Sequence, residues 1–338
     1  MKYRYLGKSG LKVSRVCLGT MTFGQENWGC DKETSIKIID KFIDYGGNFI
    51  DTADMYSNGL SEEIIGIAIK NKRDKVVLAT KCYFPTGDSP TSKGLSRKHI
   101  YEACDASLRK LKTDYIDLYQ THGPDYLTPM EETMKTLDVL VRQGKVRYIG
   151  CSNLHGWQIV KANGISAIYN LEKYISAQHL YNIIMRDVER EVIPAVEDQG
   201  MGLICWSPLA SGMLSGKYKR SDKPPSGSRM EHRAEFDVPR YWHNHGFKIV
   251  DAVKKEAKKL GWTPAQVSLS WLLYNKNVTA VIIGARQPEQ IEDTIKVGEL
   301  DIPEEVWKRI DKVSHFEPGY PKSWFELVKK NVYKEVIG

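Results

Sequence analysis

The sequence predicts an α/β protein of the closed (β/α)8, or TIM-barrel, class, with an N-terminal β-hairpin, a long loop after the seventh strand and a C-terminal extension. Eight short runs rich in β-branched residues alternate with longer amphipathic stretches between residues 16 and 297. The doubly wound sheet that could show the same alternation carries a GxGxxG turn in its dinucleotide-binding form, and no glycines here make that spacing. The chain has 338 residues, more than the ~250 usual for such a barrel, and two segments absorb the surplus.

In chain order, Tyr3–Leu6, a Gly7–Gly10 turn and Leu11–Val13 form the hairpin. The barrel strands are expected at Val16–Gly19, Asn48–Asp51, Lys75–Thr80, Tyr115–Gln120, Val146–Cys151, Ile175–Gln178, Gly202–Trp206 and Ala280–Ile283. Helices are expected at 33–45, 60–71, 98–111, 129–143, 156–162, 188–198, 264–275 and 287–297, each with apolar residues at helical spacing. The surplus falls at 207–262, a Gly/Ser-rich loop followed by an amphipathic stretch Phe247–Leu260, and in the tail after Pro303. Nothing resembles a linker or a repeat, so one domain over 1–338 is expected.

A hydrophobic content of 41% and a charged content of 27% fit a globular chain with a full core. The net charge of +7 is spread along the sequence, which predicts a solvated surface and no nucleic-acid stripe, while suiting an anionic cofactor. No apolar run approaches the ~20 residues of a membrane span. The N-terminus has no signal-peptide core, and the six cysteines form no CxxC pair. A reduced, cytoplasmic protein with no membrane partner is therefore expected; a homo-oligomer stays open.

The chemistry concentrates at strand ends. Asp51 ends the second strand, Tyr56 follows on a turn, Lys81 ends the third and His122 the fourth. In a (β/α)8 barrel these positions face one cavity. A phenol titrates near ~10 and needs help to act as an acid at neutral pH. A cationic Lys81 held by Asp51 would lower that pKa, and His122 could donate to a substrate oxygen. Singly, each residue has an ordinary reading: a solvated strand end, a structural histidine, a turn cap. Their joint placement makes coincidence improbable.

These blocks resemble the aldo-keto reductase family along the whole chain. The family signature is similar to Asn48–Ser57 with Gly59-Leu60-Ser61-Glu62; Gly150–Asn153, Gln178–Asn182, Trp206–Ala210 and Ile283–Arg286 follow in order. The match is densest for the branch resembling bacterial general aldo-keto reductases and potassium-channel β-subunits. The resemblance implies Asp51, Tyr56, Lys81 and His122 as catalytic residues and NADPH as cofactor, with NAD less favoured. It also implies that Ser152, Asn153 and Gln178 bind the nicotinamide carboxamide, with Trp206 stacked under the ring. Ser207, Pro208, Leu209, Gly212, Leu214 and Lys217 would hold the pyrophosphate. Gly284, Arg286, Gln290 and Asp293 would take the adenosine end, Arg286 pairing with a 2′-phosphate. The chain departs from the family at Asp293-Thr294, where Glu-Asn is common, and at Gly123, where relatives carry a bulky aromatic. Gly123 is expected to widen the pocket beside His122. Phe23, Trp28, Tyr83, Phe84 and Trp324 are the candidate substrate-pocket aromatics.

Three other signals are set aside. His243-Asn244-His245 has metal-like spacing but no third ligand, so no metal is expected. The basic Lys217–Arg220 run suits a dinucleotide lid better than nucleic acid, and Lys254, Lys255, Lys258 and Lys259 form an exposed helical face. The expected activity is NADPH-dependent reduction of an aldehyde or ketone with Tyr56 as general acid. Its rivals are an NADP(H)-binding regulatory subunit with little turnover, and a lyase using Lys81 as a Schiff base.

Overall fold

The computed structural model describes residues 1–25 and 27–333, the side chain of Lys330 aside. Ten strands occur among them: β1 Tyr3–Tyr5, β2 Lys12–Ser14, β3 Val16–Gly19, β4 Phe49–Asp51, β5 Val77–Cys82, β6 Ile116–Thr121, β7 Val146–Ser152, β8 Tyr174–Leu180, β9 Gly202–Trp206 and β10 Val278–Ile283. β1 and β2 pair antiparallel as the expected hairpin. β3 to β10 form a closed parallel barrel, β10 pairing back onto β3 through Val281↔Val16 and Ile283↔Leu18.

The strands read as apolar runs because both faces are covered, as parallel sheets require; all six residues of β5 are buried. Alternation then sorts the side chains. Phe49, Val77, Ala79 and Leu118 join an inner cluster with Leu6 and Val13 of the hairpin, which closes one end of the barrel. Ile50, Leu78 and Tyr119 join the larger cluster beneath the helices. Counting two residues on from the inner set puts Asp51, Lys81, Gln120 and His122 inside the opposite end. The hairpin turn approaches the start of β9 so closely that a Cβ on Gly7 (φ +61°) would lie 2.6 Å from the Gly200 carbonyl oxygen.

The surplus is more ordered than its composition suggests. Residues 207–262 hold a 3₁₀ turn, Ala210–Ser215, and helices Arg229–His232, Ala234–Tyr241 and Asn244–Leu260. The last starts three residues earlier than expected because His243 is its N-cap, accepting from the Gly246 N–H. The HxH pair thus serves a helix end. The C-terminal extension adds helices Glu304–Val313 and Lys322–Val332. Arg186 anchors it, donating to Glu189 (2.7 Å) and to the Ser314 carbonyl (3.1 Å) and pairing with Asp311 (2.8 Å). Among the described residues no helix is long and apolar enough to cross a membrane, and no acid, histidine and cysteine cluster could hold a metal.

Candidate active site

Lys81 is the hub. Its side chain is fully buried, and Nζ donates to Asp51 Oδ2 (2.6 Å), to the Thr52 carbonyl (2.6 Å) and to the Tyr56 hydroxyl (3.4 Å). Burial alone would drive the ammonium towards its neutral form, but Asp51 and Tyr56 outweigh it and hold the pKa above its ordinary value. All three N–H donors have acceptors, and the amine is held as a cation rather than as a nucleophile, which disfavours a Schiff base. Asp51 is fixed from the other side: Oδ1 accepts from Gln178 Nε2 (2.8 Å) and Gln120 Nε2 (3.1 Å).

Tyr56 opens a 3₁₀ turn, Tyr56–Gly59, whose Ser57 and Asn58 adopt positive φ. Burial raises its phenol above the ordinary value, with Lys81 and Arg233 pulling against that rise. The expected lowering by Lys81 is present, but desolvation wins. His122 follows β6 and meets Tyr56 edge-on, ring centroids 5.8 Å apart. Burial, reinforced by Lys81, pushes its imidazole well below the usual range, so it is neutral at physiological pH and has one N–H to give.

These groups lie at the base of a cleft of about 820 Å³, within the range of cofactor sites. Ser152, Asn153, Gln178, Trp206, Ser207, Pro208, Leu209, Gly212, Lys217, Gly284, Arg286, Gln290 and Asp293 all line it. Several are also tied to each other. Asn153, at φ +61°, donates to the His122 carbonyl (3.0 Å) and accepts from Trp206 Nε1 (3.0 Å). Ser152 Oγ donates to the Gln178 carbonyl (2.8 Å). Asp293 accepts from Thr263 Oγ1 (2.8 Å) and Gln266 Nε2 (2.9 Å), and Gln290 Oε1 accepts from the Arg286 N–H (2.8 Å). Among the described residues, six of the eight non-glycine residues with positive φ (Ser57, Asn58, Asn153, Ser207, Ala210, Ser211) sit on the turns around this mouth, where strained backbone commonly marks function.

Four expectations change. Leu214 is fully buried in the core, and it is its carbonyl that has a partner, accepting from Ser268 Oγ (3.3 Å). Phe23 is likewise buried, and its carbonyl anchors the Tyr56 turn by accepting from Ser57 Oγ (2.6 Å). Trp324 is 56% exposed and flanks a separate hollow with Arg190 and Pro318, away from the cleft. The space beside Gly123 is filled by Tyr83, whose ring would come 3.1 Å from a Cβ there. Tyr83 backs Phe84 (5.1 Å), and Phe84 lines the cleft edge-on to His122 (4.9 Å), with Trp28 at the rim.

Three contributors escaped the sequence reading. Gln120 shares the inward face with His122, two residues away, so strand alternation could have found it. Arg229 and Arg233, on the lid formed by 229–241, line the cleft, but their sequence context carries no distinguishing pattern. Arg229 lies 5.8 Å over Trp28, reaching across the mouth. Lys217 is depressed by burial and by the charges of Arg286 and Arg229, which places three cations together. Gly212 (φ +91°) makes room for Lys217, whose Cε would meet a Cβ at 2.7 Å.

Comparison with known proteins places the chain in a family. The chain is 40% identical over 324 residues to the uncharacterized oxidoreductase YrpG of Bacillus subtilis, covering 93% of this chain and 96% of that one. It is 38% identical to a putative voltage-gated potassium channel subunit beta of Schizosaccharomyces pombe (94% of each chain). It is also 38% identical to the versiconal hemiacetal acetate reductase of Aspergillus parasiticus (90% and 95%). The family model described as Aldo/keto reductase family matches residues 15–315. A closed barrel with this mouth, matched over nearly its whole length, belongs to the aldo/keto reductase family.

Proposed function

We propose that this protein is an NADPH-dependent oxidoreductase that reduces aldehydes or ketones to alcohols. The carrying observation is the Asp51–Lys81–Tyr56 chain of contacts at the base of a cleft that also holds three clustered cations. The cleft suits a dinucleotide: its volume, the glycine cradle over Lys217, and a cationic set matching a pyrophosphate and a 2′-phosphate support one. Lys217, Arg229 and Arg286 favour NADPH over NADH.

When bound, the reduced nicotinamide supplies a hydride, hydrogen with two electrons, to the carbonyl carbon. Trp206, held by Asn153, offers a flat surface for the ring. His122, as neutral imidazole, donates to the carbonyl oxygen while negative charge builds there. Tyr56 gives that oxygen its phenolic proton, and the Lys81 ammonium stabilises the phenolate until solvent returns the proton. Asp51, fixed by Gln120 and Gln178, keeps Lys81 charged and aimed. All six cysteines are free and buried, which supports a reducing, cytoplasmic setting.

The test is NADPH oxidation against a panel of aromatic aldehydes, α-diketones and aldoses. Tyr56→Phe should lose about 10²- to 10⁴-fold in kcat while binding NADPH with wild-type affinity by calorimetry. Unchanged turnover in that variant would remove Tyr56 as the acid. The similarity to a channel β-subunit favours one second reading, a cofactor-binding regulatory subunit. Tight NADPH binding with no turnover on any carbonyl would select it.

A further inference from the structure

Four cations line the cleft, Lys217, Arg229, Arg233 and Arg286. Lys217, Arg229 and Arg286 crowd together, the latter two adding to the burial that depresses Lys217. Arg233 adjoins this group through Arg229, which burial and then the charge of Arg233 depress, but it is not among the charges that act on Lys217. Its Nε donates to Asp237 Oδ2 (3.1 Å), a carboxylate side chain only 2% exposed that also accepts from the Ser211 hydroxyl. This pins the stem of the side chain, and its two terminal nitrogens make no hydrogen bond within the described residues.

The guanidinium lies 5.0 Å over Phe236, and Phe236 stacks on Trp206 at 6.3 Å and 29°. Trp206 is held by Asn153, which also binds the His122 carbonyl. This run of contacts sets Arg233 at the catalytic end of the cleft, near enough for its charge to draw the Tyr56 phenol down against burial. Around it the wall is apolar and flat: Trp28, Met55, Phe84 and Phe236. An idle, planar, two-pronged donor beside an apolar wall matches a carboxylate carried on an apolar body.

We propose that Arg233 is a specificity-determining residue that receives a carboxylate of the carbonyl substrate, so that the preferred substrates are apolar aldehydes or ketones bearing a carboxylate. This rests on the reductase reading of the same cleft. An anion there is held by charge-assisted hydrogen bonds, while a neutral isostere leaves the guanidinium unpaired.

The experiment compares 4-formylbenzoate with its methyl ester at saturating NADPH, in wild type, Arg233→Met and Arg233→Lys. Wild type should favour the carboxylate in kcat/KM. The carboxylate-to-ester ratio should fall about tenfold or more in Arg233→Met and partly recover in Arg233→Lys. Using a ratio cancels any general loss from disturbing the Asp237 pair. An equal ratio in wild type and Arg233→Met overturns the proposal and assigns Arg233 to lid structure alone. If protein that binds NADPH reduces neither aldehyde nor any other carbonyl of the panel, the reductase reading fails, and calorimetric titration of the NADP-loaded protein with 4-formylbenzoate decides this one. Binding lost in Arg233→Met upholds the carboxylate site; binding that is absent, or equal in both proteins, removes it.

Discussion

Asp54, two residues before the phenol, has both carboxylate oxygens buried with no hydrogen-bond partner among the described residues. Burial, then the neighbouring charge of Glu62, pushes its pKa up to about 8 from an ordinary 3.8. Between about pH 4 and about pH 8 the folded protein therefore holds a proton that the unfolded chain has released. Unfolding free energy must then fall as pH rises through that window, by up to about 1.4 kcal/mol per pH unit for a full proton. Asp54→Asn should abolish this slope and be more stable than wild type at pH 8, with a smaller difference at pH 5, read by urea unfolding. What the sequence showed at this scale was chemistry at strand ends, since Asp51, Tyr56, Lys81 and His122, each ordinary when taken singly, fall together at successive strand ends. It did not show which partner each would take. Gln178, expected to face a cofactor amide, spends its N–H on Asp51, and Tyr83 fills the room that Gly123 leaves.

Elements were legible where one physical signal dominated. Doubly covered parallel strands produce apolar runs, and all eight barrel strands lie where such runs occur. Helices Arg229–His232 and Ala234–Tyr241 were not legible, because they are short, the second contains Pro239, and charged residues blur their periodicity. The helix Pro264–Tyr274 shows how an element's end can reach the site. Thr263 caps it in a reciprocal capping box with Gln266, and the same Thr263 hydroxyl donates to Asp293 at the cleft. Thr263→Ala should cost about 1 kcal/mol of stability in chemical denaturation, with Thr263→Ser close to wild type. The alanine variant should also weaken NADPH binding, because Asp293 loses one of its tethers.

The whole molecule keeps its thiols inside and gathers cations at one mouth. Native protein should give no rapid reaction with a thiol reagent, while all six cysteines react after denaturation, because burial raises the Cys82, Cys104, Cys151 and Cys205 thiols. Affinity for NADPH should fall severalfold between about 50 and 300 mM salt, and by more than affinity for NADH, as three clustered cations meet one more phosphate. Equal salt slopes for the two dinucleotides would separate the cations from the 2′-phosphate.

The pairing of β10 with β3 has a consequence for synthesis. The barrel closes only when Val281–Ile283 meets Val16–Leu18, so on the ribosome the first strand waits for most of the chain before gaining its second neighbour. The mouth draws on residues from Gly19 to Thr294, and no shorter nascent chain can assemble it. Ligand capture is thus a late event in the life of each molecule, and the emerging half-barrel, with two open edges, is the stage most in need of chaperone protection.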